Sequence, residues 1–212
     1  MSASGRTADS KLLRVIQDSL DEAFRRSGEW VQCRAGCSSC CREGPFPITM
    51  LDAERLQRGW RILAAREPER AERIRGRADE AFAKITALRY PGDQQSGCLE
   101  GPSAEQELYT QRFKGIACPV LDPESGACQI YEHRPVCCRV YGAALSLDGS
   151  PIKPCVLNYQ GVSDAEIERC RVDISPGPAA EAAFEEFAAQ GGTPGRTTIA
   201  FAVSSAGLAH AK

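Results

Sequence analysis

Apolar residues at helical spacing predict an amphipathic helix near the start of the chain. The apolar positions lie three or four residues apart and form one face: Leu12, Leu13, Ile16, Leu20 and Phe24. Asp9 or Ser10 can serve as the N-cap, and Gly28 can end the helix. The pattern therefore predicts one long helix before residue 28.

Two further helices are predicted between residues 49 and 90. Thr49 and Asp52 form a capping-box-like start for the first, which runs to about Arg66. Pro68 suits the first turn of the second, which ends before Tyr90. Their apolar faces contain Leu51, Leu56, Trp60 and Leu63, and then Ile74, Ala78, Phe82 and Ile85. We expect the two helices to pack as a hairpin, with the arginines of residues 55–77 on a solvated face.

The rest of the chain predicts shorter elements. Residues 91–102 indicate a loop, and residues 103–114 indicate a short helix. Prolines and glycines are frequent from 118 to 163, which favours turns and short extended pieces. Short helices are predicted from Ser163 to Arg171 and from Pro178 to Gly191, whereas residues 197–203 fit either a strand or a helix.

Composition narrows the function classes. The 212 residues carry 26 Lys and Arg against 28 Asp and Glu, so the charge balance gives no reason to expect binding to nucleic acid or to an anionic membrane. The start of the chain does not resemble a secretory signal, and no apolar stretch is long enough to span a membrane. We therefore expect a single cytoplasmic domain over 1–212, in which cysteines stay reduced.

Eleven cysteines are the main chemical signal, and eight of them fall into two clusters. The clusters consist of Cys33, Cys37, Cys40 and Cys41, and of Cys118, Cys128, Cys137 and Cys138. Gly36 allows a positive φ beside the first cluster, and the turn Asp122–Gly126 can bring Cys118 and Cys128 together. In a reducing compartment, such clusters indicate metal binding or catalysis rather than disulfides.

The two motifs CRAGCSSCC and ACPVLDPESGACQIYEHRPVCCRVYG resemble the YkgJ-type cysteine-cluster family, which is described as a zinc- or iron-chelating domain. The resemblance covers residues 33–155 and is interrupted by a helical insert at about 49–114. It implies a metal-ligand set of eight cysteines: Cys33, Cys37, Cys40, Cys41, Cys118, Cys128, Cys138 and Cys155. Cys137 departs from the family pattern.

The implied partner is a metal ion, either zinc or iron, and the iron could belong to an iron–sulfur cluster. The sequence identifies no protein partner. Cys137 stays open as a ligand, a redox-active neighbour or a bystander, whereas Cys98 and Cys170 are expected to be structural or incidental. Arg134 and Arg139 are candidates to donate hydrogen bonds near the thiolates. Recognition of an anionic substrate is an alternative for Arg134, and hydrogen bonding to carbonyl groups or thiolates is the favoured one.

These observations predict a mainly α fold in which helices surround an irregular cysteine-rich metal-binding knuckle, with few short strands. The predicted function is chelation of zinc or iron, and no reaction can be assigned. An alternative is an iron–sulfur enzyme of radical S-adenosylmethionine or protein-methylating type, because Cys33, Cys37 and Cys40 have the spacing of that cluster motif. Metal storage or delivery is a third interpretation.

Overall fold

The computed structural model describes residues 5–34, 36–44, 46–100 and 111–210. The fold is mainly α, as predicted, and its strands contain two or three residues each in the described ranges. Backbone contacts divide the chain into unit 1, Met1–Arg34 with Val136–Thr193, and unit 2, Ala35–Pro135 with Pro194–Lys212. The single domain expected from chain length stays a prediction. Among the described helices, none combines the length and apolar character needed to cross a membrane.

Unit 1 is built on the long helix α1, Gly5–Ser27. Its buried face consists of Leu12, Ile16, Leu20 and Ala23. The predicted N-cap is wrong, because Asp9 lies inside the helix and is buried. An acidic residue is favourable anywhere in the first turns of a helix, so its position alone does not fix the start.

Unit 1 contains further helices and strands, of which the three later α-helices and the last strand pack against α1. The further elements are α5 (Val136–Val140), β2 (Leu145–Leu147), β3 (Ser150–Ile152), α6 (Asp164–Cys170), β4 (Val172–Asp173) and α7 (Gly177–Ala189). Strand β2 pairs with β3 in the antiparallel and with β4 in the parallel sense. The predicted start of α6 is confirmed, because Ser163 and Glu166 form a complete capping box.

Unit 2 contains the predicted helical hairpin, formed by α3 (Met50–Arg66) and α4 (Pro68–Ala87). The Thr49 side chain accepts the backbone N–H of Asp52 at 3.0 Å and caps α3 as predicted. The smaller helix α2 (Ser39–Glu43) precedes the hairpin. The buried residues of the two helices include Leu56, Leu63, Ile74, Ala78 and Ile85, and Ile85 packs with Tyr90, Phe113 and Ala200.

The region that fits either a strand or a helix contains both. Strand β5 (Arg196–Thr198) pairs antiparallel with β1 (Pro47–Thr49), and α8 (Ile199–Ala202) and α9 (Ser205–His210) follow. Thr198 ends the strand and caps α8, since its side chain accepts the N–H of Phe201 at 3.0 Å. Most of the helix predicted at 103–114 lies outside the described residues, because 101–110 are not among them.

The prediction that the arginines of 55–77 form a solvated face is wrong at two positions. Arg55 is 2% exposed and forms an ion pair with Asp52, one turn earlier on α3. Arg77 is half-buried and donates hydrogen bonds to the segment that contains Cys118 and Cys128. An alternation of charges along a helix does not distinguish a residue on the solvent side from one that reaches a buried partner.

Candidate metal centre

The structure divides the predicted ligands differently from the two sequence clusters. Unit 2 contains five of them, Cys37, Cys40, Cys41, Cys118 and Cys128. Unit 1 contains the other three, Cys33, Cys138 and Cys155, together with Cys137. Cys33 therefore belongs to a different unit from its three neighbours in the first cluster, because the boundary falls after Arg34.

In unit 2, Cys40 and Cys41 are the second and third residues of helix α2. Both side chains are half-buried, and their Sγ atoms lie 4.0 Å apart. The hydrogen bond with the Cys41 thiol, and then burial, raise the pKa of the Cys40 thiol above its ordinary value. Because metals bind thiolates, metal binding at this pair must release protons.

Main-chain hydrogen bonds join α2 to the segment that leads into the second cluster. The backbone N–H of Cys118 donates to the carbonyl oxygen of Cys41 at 2.7 Å. Two residues further along α2, the carbonyl oxygen of Glu43 accepts the N–H of Gly115 at 2.9 Å. These contacts place the backbones of Cys41 and Cys118 side by side, although the two residues belong to different sequence clusters.

Cys128 is positioned by the predicted turn, which the structure contains. The Asp122 carboxylate accepts the backbone N–H groups of Glu124 and Ser125 at 3.0 and 3.3 Å. These hydrogen bonds hold the pKa of Asp122 below its ordinary value. After the turn, Cys128 forms an isolated antiparallel bridge with Leu121. The turn thus returns the chain beside the residues that follow Cys118.

Arg77 of α4 anchors the same segment. Its Nε donates to the carbonyl oxygen of Pro119 at 3.0 Å, and its Nη2 donates to Oε1 of Gln129 at 2.6 Å. Each of these two residues adjoins a predicted ligand, Cys118 or Cys128. Partial burial lowers the pKa of Arg77, while the Asp122 carboxylate acts in the opposite direction. Arg77 was not singled out from the sequence, because the alternation of arginines and glutamates around it does not indicate which residues it contacts.

Two glycines let the loops of the two clusters approach each other within unit 2. Gly36 has a φ of +86°, as predicted, and Gly126 has a φ of +70°. A Cβ atom at Gly126 would lie 2.8 Å from the carbonyl oxygen of Gly36. The contact involves backbone, which cannot rotate away, so this approach requires glycine at position 126.

In unit 1, Cys137 and Cys138 are the second and third residues of helix α5. Both side chains are half-buried, and their Sγ atoms lie 3.9 Å apart. The α5 pair therefore has the same place in its helix and nearly the same sulfur separation as the α2 pair. An arginine follows each pair, Arg42 in α2 and Arg139 in α5.

Asn158, which was not singled out from the sequence, organises the other two thiols of unit 1. Its side chain is buried, and its Oδ1 accepts the backbone N–H of Gln32 at 2.9 Å. Its Nδ2 donates to the carbonyl oxygen of Gly142 at 2.6 Å and to the Sγ of Cys33 at 3.5 Å. The same Gly142 oxygen accepts the N–H of Cys155 at 3.3 Å.

Gly142 leaves the space that the Cys33 sulfur uses. Its φ is +120°, and a Cβ atom there would lie 2.8 Å from the Sγ of Cys33 and 3.9 Å from the Cβ of Cys155. Cys33 and Cys155 therefore approach the same point of the backbone from two distant parts of the sequence. A polar residue three positions after Cys155 was the available signal for Asn158, but sequence alone does not indicate that it is buried.

Three other residues considered in the sequence, Arg134, Cys170 and Cys98, contact neighbouring groups of the protein. Arg134 stacks its guanidinium 3.5 Å from the centre of the Tyr131 ring, and its Nε donates to the Tyr131 carbonyl oxygen at 3.1 Å. Cys170 is 3% exposed and donates its thiol to the carbonyl oxygen of Arg26. Cys98 lies half-buried in the predicted loop, and its N–H donates to the Ser96 hydroxyl.

The donor chemistry fits a thiophilic metal. Four Zn–S bonds of about 2.3 Å in a tetrahedron place neighbouring sulfurs about 3.8 Å apart, close to the separations in both vicinal pairs. The close approaches at Gly126 and Gly142 bring further cysteine-bearing segments together within each unit: the loop of Gly36 in unit 2, and Cys33 and Cys155 in unit 1. Among the described residues, no three or more His, Cys, Asp or Glu side chains are already gathered in a metal-binding arrangement. A metal ion could therefore be bound by three or more thiols only after cysteine side chains outside the two vicinal pairs had rotated toward those pairs.

Comparison with known proteins defines the class. The model of the CxxCxxCC family, described as "Putative zinc- or iron-chelating domain", matches residues 32–156, which is more than half of the chain. The chain belongs to this family, and the resemblance drawn from its cysteine motifs is confirmed; the narrower YkgJ type stays a prediction. No curated protein and no solved structure matched the chain. The family description supports metal binding and leaves the metal as zinc or iron.

Proposed function

We propose that this protein binds zinc or iron through two groups of cysteine thiolates. The ligands are Cys37, Cys40, Cys41, Cys118 and Cys128 in unit 2, and Cys33, Cys138 and Cys155 in unit 1. One observation carries the proposal: the sulfurs of Cys40 and Cys41 lie 4.0 Å apart, and Cys118 is hydrogen-bonded to the backbone of Cys41. Two family thiols thus lie at the spacing of ligands on one metal ion, and the backbone of a third cysteine, Cys118, is adjacent to them.

The sulfur separation favours a single metal ion over a [4Fe–4S] cluster. Each iron of a [4Fe–4S] cluster takes one protein thiolate, so vicinal thiolates on such a cluster would bind different irons. A separation of 4.0 Å instead fits two thiolates on one tetrahedral ion. The same separation suits one iron of a [2Fe–2S] centre, which carries two thiolates.

No observation favours the radical S-adenosylmethionine alternative. Enzymes of that type need repeated β-α units to build their barrel. The strands within the described ranges are no longer than three residues, and they form one two-stranded and one three-stranded sheet. The vicinal geometry also differs from the one-thiolate-per-iron pattern that a [4Fe–4S] enzyme needs.

The metal would strengthen connections that backbone hydrogen bonds and the side chains of Arg77 and Asn158 already make. Structural zinc sites contribute about 10–16 kcal/mol in zinc-finger peptides, comparable to the whole stability of a domain at about 5–15 kcal/mol. The residues Cys33 and Cys37 are exposed, so a metal ion can reach their thiols from solvent. A cytoplasmic location fits the proposal, because a reducing compartment keeps thiols available for metals.

The proposal is tested on the full chain, purified anaerobically with a reductant. Elemental analysis should find stoichiometric zinc or iron, and visible absorbance distinguishes colourless zinc from coloured iron–thiolate centres. Cys128→Ser should lower the metal content, whereas Cys98→Ser removes one thiol outside the proposed set and should leave it unchanged. If the reduced protein holds no metal and takes up neither Zn²⁺ nor Fe²⁺, the proposal is wrong.

A further inference from the structure

Unit 1 lacks one donor for a four-thiolate site if only the family cysteines are counted. The cysteines of unit 1 that the resemblance to the family implies as ligands are Cys33, Cys138 and Cys155. Both histidines of the chain, His133 and His210, belong to unit 2. A tetrahedral site of soft ligands within unit 1 would therefore need its fourth donor from another cysteine of the same unit, which leaves Cys137 and Cys170.

Cys170 is unsuitable as that donor. It lies at the end of α6, is 3% exposed and belongs to an apolar cluster with Ala144 and Tyr159. Its thiol already donates to the carbonyl oxygen of Arg26 at 3.4 Å. A metal ion at this sulfur would have to enter the apolar cluster, where the desolvation of its charge is costly.

Cys137 has the surroundings of a ligand. Its Sγ lies 3.9 Å from that of Cys138, close to the edge of about 3.8 Å expected for a tetrathiolate tetrahedron. The equivalent positions of α2 carry Cys40 and Cys41 at 4.0 Å, and both of those cysteines lie in the family motif. Helices α2 and α5 thus present the same dithiol, with Cys137 in the place of Cys40.

The remaining thiols of unit 1 are tied to the chain just beyond α5. The N–H of Tyr141 donates to the carbonyl oxygen of Cys137 at 3.2 Å, which extends the helical turn to the residue before Gly142. Gly142 is in turn the residue around which Cys33 and Cys155 approach each other. Of the five thiols of unit 1, the four other than Cys170 therefore belong to residues 137–142 or to segments that contact them, and metal binding would require these side chains to turn toward one ion.

We propose that Cys137 is a metal ligand, and that with Cys33, Cys138 and Cys155 it forms a zinc- or iron-binding tetrathiolate within unit 1. The proposal rests on the proposed function and extends it, because unit 1 then holds a metal ion with its own four ligands. Unit 2 retains a separate set of thiols for its own metal ion.

Alkylation of the unmodified protein tests the assignment without a substitution. The zinc-loaded chain and the chelator-treated chain are each treated with iodoacetamide, and fragment-ion mass spectrometry distinguishes the labels on Cys137 and Cys138. We expect zinc to protect both thiols and chelation to expose both, while labelling of Cys98 stays the same. Equal labelling of Cys137 in the two states, with Cys138 protected by zinc, would overturn the assignment.

A variant gives an independent measure. Even partners of metal ligands contribute about 10–100-fold to affinity, so Cys137→Ser should weaken zinc binding at one site by at least about tenfold in competition with a chromophoric chelator. Cys98→Ser is the matched control and should bind as the original chain does. Unchanged zinc affinity in Cys137→Ser would refute the role of Cys137 as a ligand and would leave the proposed function standing. A chain that binds no zinc in any form would refute the proposed function as well.

Discussion

The two units bring their thiols together by different means. In unit 2, main-chain groups make the connection, since Cys118 donates to the Cys41 carbonyl and Gly126 lies against Gly36. In unit 1, one side chain makes it, since the Asn158 amide contacts Gln32, Gly142 and Cys33. Both arrangements end in a vicinal cysteine pair with nearly the same sulfur separation.

The difference determines which changes each unit tolerates. Main-chain hydrogen bonds persist when side chains change, so the arrangement in unit 2 depends mainly on the absence of Cβ atoms where loops meet. The arrangement in unit 1 depends on the side-chain amide of Asn158, which must supply both its NH2 donors and its oxygen acceptor. Substitutions should therefore affect the two units separately, with sizes that follow from these contacts.

Removal of a vicinal thiol should have the largest effect. Cys41→Ser should release the metal of unit 2 and Cys138→Ser that of unit 1. Each should lower the free energy of unfolding by more than about 3 kcal/mol, because a structural metal contributes several times that amount in small domains. Metal content and urea unfolding measure the change. Zinc protection of Cys118 and Cys155 against alkylation reports each unit, and loss of both protections in one variant would contradict separate sites.

A methyl group at Gly126 should have the next largest effect. Gly126→Ala and Gly115→Ala both add a Cβ at a positive φ, +70° and +86°, which costs about 1–2 kcal/mol in either case. Only the first would meet backbone, since nothing lies within 4 Å of a Cβ at Gly115. Gly126→Ala should therefore unfold at lower urea concentration than Gly115→Ala and bind zinc more weakly. Equal behaviour of the two variants would show that the close approach is unimportant.

Loss of the Asn158 amide should affect unit 1 alone. Asn158→Ala removes the hydrogen bonds to the backbone N–H of Gln32 and to the carbonyl oxygen of Gly142, each of which contributes about 0.5–1.5 kcal/mol. Asn158→Asp keeps the acceptor but removes the donors to Gly142 and Cys33. Both variants should weaken zinc protection of Cys155 and leave that of Cys118 intact. Gln160→Ala, which removes an exposed amide nearby, is the control and should change neither.

The smallest expected effect is a dependence on acid. Hydrogen bonds from the backbone of Glu124 and Ser125 lower the pKa of Asp122, and the Ser175 hydroxyl, Gly149 N–H and Ser146 hydroxyl lower that of Asp173. A lowered carboxyl pKa gives stability that is present above the ordinary value and is lost as pH falls through the lowered one. Asp122→Asn should remove this loss from unit 2 and Asp173→Asn from unit 1.

This acid effect is measured on metal-free protein, because acid also releases metal from thiolates. Urea unfolding from neutral pH down to about pH 3, below the ordinary carboxyl pKa of about 3.9, covers the relevant range. If the free energy of unfolding of a variant decreases with acid as steeply as that of the original chain, the stabilising role assigned to the substituted carboxylate is wrong.

The helices could be predicted from sequence because their signals are local. Helix α3 begins at its Thr49 cap and α6 at its Ser163 capping box, and both caps involve residues three positions apart. The first cysteine cluster could not be divided correctly in the same way. Cys33 contacts Asn158 and Gly142, whereas Cys41 is hydrogen-bonded to Cys118, so the grouping depends on contacts between distant parts of the chain.

The positions of charged residues were a second feature that the sequence did not predict. Arg55 and Arg77 share one alternating pattern with solvated arginines, yet one is buried with Asp52 and the other holds the segment between Cys118 and Cys128. A missed signal was present in the sequence itself. The tripeptide Cys-Cys-Arg occurs twice, at 40–42 and 137–139, and its recurrence could have indicated that Cys137 is equivalent to a family cysteine.

The pairing of β1 with β5 determines when unit 2 can be completed during synthesis. Residues 47–49 find their strand partners only at 196–198, so the ribosome must translate both cysteine motifs before the sheet of unit 2 can close. The nascent chain therefore carries the thiols of unit 2 before that sheet exists. We expect completion of unit 2 to be a late step, one that follows translation of β5.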